Sequence, residues 1–243
     1  MPAPEIETSA ILDKTSVLQE IYQRLYQRYG PQHWWPGEGP LDVIIGAILT
    51  QSAAWPNVER ALFNLKEAGC WSLEAIHRCP RDDLAAIIHP CGYFNTKARK
   101  LKAFAEHIVK QYGGHLEVFL SQDCRPLREE LLSIYGIGLE TADDILVYAA
   151  EQPSFVIDTY TVRILQRVGL APAGKKSDYH AYQGLFHIAL PQDVALFNEY
   201  HALLDQHAKQ ACNKTPKCRG CCLRDMCRTG QQVSEHASPW IGG

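Results

Sequence analysis

Apolar residues recur at steps of three and four along almost the whole chain, and strict alternation of apolar with polar residues is nearly absent. In "TSVLQEIYQRLYQRYG", Val17, Leu18, Ile21, Leu25 and Tyr29 share one helical face, and Gly30-Pro31 supplies the stop. The proline- and glycine-rich "PQHWWPGEGP" reads as a loop. "LDVIIGAILTQSAAWPNVERALFNLKEAG" reads as a buried helix followed by an amphipathic one, with Pro56 at the junction because proline fits the first turn of a helix. "SLEAIHR", "PRDDLAAIIHPCG", "TKARKLKAFAEHIVKQYGG", "LREELLSIYGIG" and "LETADDILVYAAEQ" repeat the period. So do "DTYTVRILQRVGL", "SDYHAYQGLFHIALP" and "DVALFNEYHALLDQHAKQAC". The pattern predicts an all-α protein of about ten short helices. The last 15 residues, "TGQQVSEHASPWIGG", are expected to form a flexible tail.

With 243 residues, 46% of them hydrophobic, the chain can bury the core of one large or two small domains. A formal charge of -3 argues against a protein that holds nucleic acid by bulk charge, so any such site must be a local patch. No apolar run approaches the roughly 18 to 20 residues of a membrane span, and "MPAPEIETSAILDK" lacks the basic and apolar regions of a signal peptide. A cytoplasmic protein with no membrane partner is expected, and there cysteines serve as thiols or metal ligands rather than disulfides.

Five of the nine cysteines fall in "CNKTPKCRGCCLRDMC", where Cys212, Cys218, Cys221 and Cys227 give the spacing C-x5-C-x2-C-x5-C. Four thiolates on short loops suit an iron-sulfur cluster or a structural zinc, and spacing separates the two poorly. Cys222 is the spare; Cys70, Cys79, Cys91 and Cys124 read as small buried apolar residues. Lys209, Lys214, Lys217, Arg219, Arg224 and Arg228 surround the cluster with only Asp225 to offset them, which marks either a polyanion contact or a solvated loop.

"LREELLSIYGIGLETADDILVYAA" is a helix, a turn with two glycines and a second helix. Such a turn can offer backbone N–H groups to a phosphate, or can simply join two packed helices. In "FVIDTYTVRILQR" the apolar Phe155, Val156 and Ile157 deliver Asp158 to a helix start, where it would cap the helix and be held rigidly.

The Gly-Ile-Gly hairpin, the aspartate 20 residues after Gly138 and the four-cysteine loop occur in an order that resembles the endonuclease III branch of the helix-hairpin-helix DNA glycosylases. "HPCGYFNTKARKLK" and "AILTQSAAWPNVERAL" resemble two further segments of that family. The resemblance implies a six-helix barrel over residues 40–150 and a second domain, residues 1–39 with 151–243, that carries a [4Fe-4S] cluster on Cys212, Cys218, Cys221 and Cys227. The first gap between these cysteines is one residue shorter than in typical members. The implied partner is damaged double-stranded DNA, bound by a monomer associated with a bacterial or archaeal nucleoid. Gly136, Ile137 and Gly138 would grip a phosphate, with Lys97 a further DNA contact. Gln51 matches the residue that fills the gap left by a flipped base, and Asp158 matches the catalytic aspartate.

Bifunctional members carry a lysine two residues after the second hairpin glycine, whose amine forms a Schiff base with the sugar. Here that residue is Glu140, which can also act as a favourable partner of the helix dipole. The resemblance thus implies a monofunctional glycosylase, unless another amine such as Lys97 serves. Trp34, Trp35 and Trp55 are core aromatics or pocket walls; "WWP" with an aromatic four residues after the glutamine resembles the 3-methyladenine DNA glycosylases, which implies excision of alkylated purines. Indole faces attract such cationic bases. Two alternatives stay open: an oxidised-pyrimidine glycosylase with lyase activity, and a DNA-binding module without catalysis whose metal loop is structural.

Overall fold

The computed structural model describes residues 5–173 and 178–235. Among these residues there are 13 α-helices and no strand, so the protein is all-α as the periodicity predicts. The helices are α1 (Glu5–Tyr29), α2 (Pro40–Thr50), α3 (Trp55–Glu67), α4 (Leu73–Arg78), α5 (Arg81–Ile87), α6 (Phe94–Tyr112) and α7 (Leu116–Leu120). They continue with α8 (Cys124–Ser133), α9 (Leu139–Asp144), α10 (Thr159–Val168), α11 (Tyr179–Ala189), α12 (Val194–Gln210) and α13 (Arg228–Glu235). α9 runs on into one turn of π-helix, Ile145–Ala149.

Two ends differ from the sequence reading. α1 begins at Glu5 rather than near Thr15, since no glycine or proline interrupts the intervening residues. α13 occupies the first part of the expected tail, and residues 236–243 lie outside the described residues. Packing explains α13: Gly230 lies so close to the Arg224 backbone that an added Cβ would sit 2.7 Å from its carbonyl oxygen. That contact is a close backbone approach and leaves no apolar period in eight residues.

Two compact units make up the chain: a central unit, Trp35–Ser154, and a terminal unit formed by residues 1–34 with 155–243. In the central unit α2 is the axis of the core. Asp42 to Leu49 are all buried, which is why this helix is apolar all round instead of on one stripe. Val58, Ala61 and Leu65 of α3 and Leu101, Phe104, Ala105 and Ile108 of α6 pack in the same core. Each large aliphatic side chain buried this way contributes roughly 1.5 to 3 kcal/mol. Among the other cysteines, Cys70 and Cys91 are buried as expected, but Cys79 and Cys124 are only half-buried.

The terminal unit packs Leu18, Ile21 and Leu25 of α1 with an aromatic core. Phe155 stacks on Phe186 with ring centroids 3.6 Å apart and meets Phe197 and Tyr200 edge-on. The buried Tyr200 hydroxyl donates to the Leu18 carbonyl, 2.8 Å away, so its polar end is satisfied. Among the described residues no helix is long and apolar enough to cross a membrane.

Candidate functional site

The hairpin is built by α8, the turn after it and α9. Leu127 and Leu131 anchor α8 in the core, and the Ile137 N–H closes the turn on the Ile134 carbonyl at 3.1 Å. Gly136 has φ +87°, and a Cβ there would also overlap the Lys100 side chain, so both backbone and packing demand glycine. Ile137 buries its side chain, leaving only its backbone for a ligand. Gly138 precedes the first turn of α9 with no side-chain cap on the helix N–H groups, and a Cβ there would meet nothing. Glu140 is exposed in that first turn.

A buried ion pair fixes the two hairpin helices. Arg128 of α8 donates to both oxygens of Asp143 of α9, at 2.7 and 2.9 Å, and the Ser154 hydroxyl adds a third bond at 2.6 Å. The sequence holds a faint signal for this pair, an acidic residue at a helical position whose neighbours are apolar, but nothing in it identifies Arg128 as the partner.

Gln51 ends α2, and it is not simply a solvated surface residue. Its amide nitrogen donates to the Gly136 carbonyl at 3.2 Å and to the Thr141 hydroxyl at 2.9 Å, while the Lys100 ammonium donates to its oxygen. Sequence reasoning missed Lys100 and Thr141, because both are brought to Gln51 from distant helices.

Lys97, expected as a DNA contact, is buried. It is 2% exposed, and its ammonium donates to the Leu49 carbonyl at 2.8 Å and the Cys91 carbonyl at 2.7 Å. Burial lowers its pKa, with the nearby Lys100 acting in the same direction. A side chain so enclosed ties α6 to the end of α2, with its ammonium engaged by two backbone carbonyls instead of facing solvent.

The tryptophans separate. Trp35 meets Trp55 edge-on at 5.4 Å and Tyr148, in the π-helical turn, at 5.5 Å, making a half-buried aromatic group in the central unit. Gly46 permits it, since a Cβ there would lie 3.0 Å from the Trp35 ring. Trp55 also donates its indole N–H to Glu59 at 2.9 Å. Trp34 belongs to the terminal unit, where the Lys209 ammonium lies 5.7 Å from its ring centroid. Trp34 and Trp35 thus serve different neighbourhoods.

In the terminal unit Asp158 caps α10, accepting the Thr161 N–H at 2.7 Å. The buried His201 of α12 has its pKa lowered by desolvation, opposed by the Asp158 and Asp205 carboxylates, so Asp158 has an imidazole within electrostatic reach. No sequence feature pointed to His201.

Cys212, Cys218, Cys221 and Cys227 line one cavity together with Ile164, Arg167 and His207; Cys222 does not line it. α10 holds this loop: Arg163 donates to the Cys212 carbonyl at 2.8 Å, and Arg167 donates to the Cys212 sulfur at 3.2 Å and the Asn213 carbonyl at 2.7 Å. Among the described residues no three His, Cys, Asp or Glu side chains are grouped as ligands of a single metal ion. In the basic loop Asp225 pairs with Arg24, and near the end of α12 Lys209 pairs with Asp205 at 2.6 Å.

Residues 45–183 match the family model of the HhH-GPD superfamily base excision DNA repair proteins. A candidate DNA repair glycosylase of Methanocaldococcus jannaschii is 41% identical over 216 residues, which cover 88% of this chain and 97% of the relative. The solved structure of the H. pylori 3-methyladenine DNA glycosylase bound to 1,N6-ethenoadenine has a TM-score of 0.68 at 25% identity, covering 81% of this chain and 97% of that one. A trapped endonuclease III–DNA covalent intermediate shares the fold with a TM-score of 0.78 at 19% identity, covering 90% of this chain and 98% of that one. The chain belongs to the HhH-GPD superfamily of base excision DNA repair proteins and is a DNA glycosylase.

Proposed function

We propose that this glycosylase is monofunctional and removes alkylated purines of the 3-methyladenine type from double-stranded DNA, leaving an abasic site. The observation that carries the reading is Glu140, an exposed carboxylate in the first turn of α9 two residues beyond Gly138, where a Schiff-base enzyme needs an amine. The amine named as a substitute, Lys97, is enclosed by two backbone carbonyls.

A purine alkylated at N3 or N7 already carries positive charge, so its bond to C1′ breaks without a general acid. The electrons of that bond leave with the base, and water supplies the hydroxyl that ends on C1′. Asp158, held by its cap bond to Thr161, stabilises the developing oxocarbenium charge or orients that water. The Trp35, Trp55 and Tyr148 rings supply electron-rich surface for a cationic base, which is worth on the order of 0.5 to 2 kcal/mol. Gly136 to Gly138 offer backbone to a phosphate, and Gln51 fills the vacated place in the duplex.

Cys212, Cys218, Cys221 and Cys227, four thiols lining one cavity, are a donor set suited to a [4Fe-4S] cluster. Bound there by Cys212, Cys218, Cys221 and Cys227, it would cross-link the loop that Arg163 and Arg167 already grip.

Mass spectrometry of bases released from alkylated and oxidised DNA tests the proposal. Release of 3-methyladenine and 7-methylguanine is expected, with a loss of about 100-fold or more in Asp158→Asn. A covalent complex trapped by borohydride, or release of oxidised pyrimidines alone, would overturn it. Tight binding with no base released would favour the non-catalytic alternative.

A further inference from the structure

α6 carries several cations, and most of them are already committed. The Lys97 ammonium is bonded to two backbone carbonyls, and Lys102 donates to the carbonyls of Ile76, His77 and Cys79. Lys110 pairs with Glu106, and the Arg99 guanidinium lies 4.7 Å from the Tyr135 ring centroid. Lys100 differs. Among the described residues it has no carboxylate partner, and its one acceptor is the neutral amide oxygen of Gln51. Its stem lies against Gly136, where even a Cβ would overlap it, so the ammonium is held beside the hairpin turn.

The Gln51 amide is itself nearly spent. Both N–H groups are engaged, by the Gly136 carbonyl and the Thr141 hydroxyl, and one oxygen lone pair faces Lys100. A side chain tied through its nitrogen to the hairpin and through its oxygen to α6 cannot enter a duplex until those bonds are exchanged. A phosphate is a stronger acceptor for an ammonium than a neutral amide, because the bond is then charge-assisted on both sides.

We propose that Lys100 is a DNA phosphate-binding residue that also latches Gln51: in the free enzyme it holds the Gln51 amide against the hairpin, and on DNA it passes to a backbone phosphate and releases Gln51. This rests on the reading of Gln51 as the residue that fills the vacated base position. It adds a cause for the timing, since only a duplex seated on the hairpin frees the side chain.

The test uses the full-length protein and a duplex with a tetrahydrofuran abasic analogue opposite 2-aminopurine. One ammonium–phosphate contact contributes about 0.9 to the slope of log K against log salt, so wild type should lose about 3.5-fold more affinity than Lys100→Met between roughly 50 and 200 mM salt. Lys100→Arg should restore the wild-type slope, and Lys100→Met should keep the wild-type melting temperature to within a few degrees, because the stem over Gly136 is retained. An unchanged slope in a folded Lys100→Met overturns the phosphate assignment. The latch is read separately by stopped-flow 2-aminopurine fluorescence, in which Lys100→Met should speed the change that accompanies Gln51 entry; an unchanged or slower rate overturns it. If Gln51→Ala leaves the fluorescence change intact, the reading of Gln51 has failed, while the salt slopes still decide whether Lys100 holds a phosphate.

Discussion

Arg128→Met leaves the Asp143 carboxylate in the core of the central unit without its guanidinium counter-charge, while the Ser154 hydroxyl still donates to it. Asp143 is 0% exposed in the side chain, and the substitution deletes its two bonds from the guanidinium, at 2.7 and 2.9 Å, while the Ser154 bond at 2.6 Å stays. Removing one partner of a buried ion pair costs about 3 to 5 kcal/mol, and the lower end applies here because Ser154 remains and Arg128 is partly exposed. Asp143→Leu should cost less than the same range, since the orphaned guanidinium can turn toward water. Arg128→Met with Asp143→Leu should cost well below the sum of the two, as an apolar pair needs no counter-charge. Urea unfolding of the four proteins measures the cycle, and amide exchange at Ile137 reports whether the hairpin turn loosens ahead of global unfolding. Additive losses, or an Arg128→Met penalty below about 1 kcal/mol, would refute the view that this pair stabilises the hairpin.

Gly136→Ala should destabilise by about 1 to 3 kcal/mol, from the left-handed backbone and displacement of the Lys100 stem, whereas Gly138→Ala should be close to neutral; thermal melts distinguish them. Burial would raise the Glu130 pKa, but hydrogen bonds from Tyr112, Gln122 and His107 outweigh it and leave it lowered. Its stabilising contribution is therefore full above the unfolded pKa of about 4.3 and is lost as pH falls through the lower folded value. Glu130→Gln should weaken the protein at pH 7 and flatten its acid unfolding, and urea melts across that range check both. Arg167→Met should lower iron content and brown colour while leaving the helical circular dichroism of the fold, because it removes bonds to Cys212, Asn213 and Lys214; full iron loading in that variant would remove Arg167 from any part in holding the loop.

The helical class was legible because period is local: α2 announces its burial by being apolar all round, and α3 and α6 by their stripes. The Gly136 turn and the Asp158 cap were legible for the same reason, since each is a demand that a few neighbouring residues place on the backbone. What was hidden depends on residues far apart in the chain. Lys97 sits on a surface-like sequence and is buried because the Leu49 and Cys91 carbonyls converge on it. Gln51 reads as a solvated helix end until Lys100, Gly136 and Thr141 meet around it. Trp34 and Trp35 are neighbours in sequence, yet a unit boundary falls between them.

The π-helical turn at Ile145–Ala149 has a bearing on how this segment can tolerate insertion and deletion. It closes through the Ala150 N–H on the Ile145 carbonyl at 2.9 Å, one residue more than an α-turn spans, so it stands to an α-helix as a one-residue insertion. Deleting a residue there would restore the shorter register and turn the following side chains by about 100° relative to those before it. Tyr148 would then rotate away from Trp35, and the aromatic group would come apart without any of its rings being mutated. The frame of this turn is therefore as much a determinant of the aromatic group as the aromatic residues themselves, and length variants between Asp144 and Glu151 should be rarer among functional sequences than substitutions of equal chemical severity.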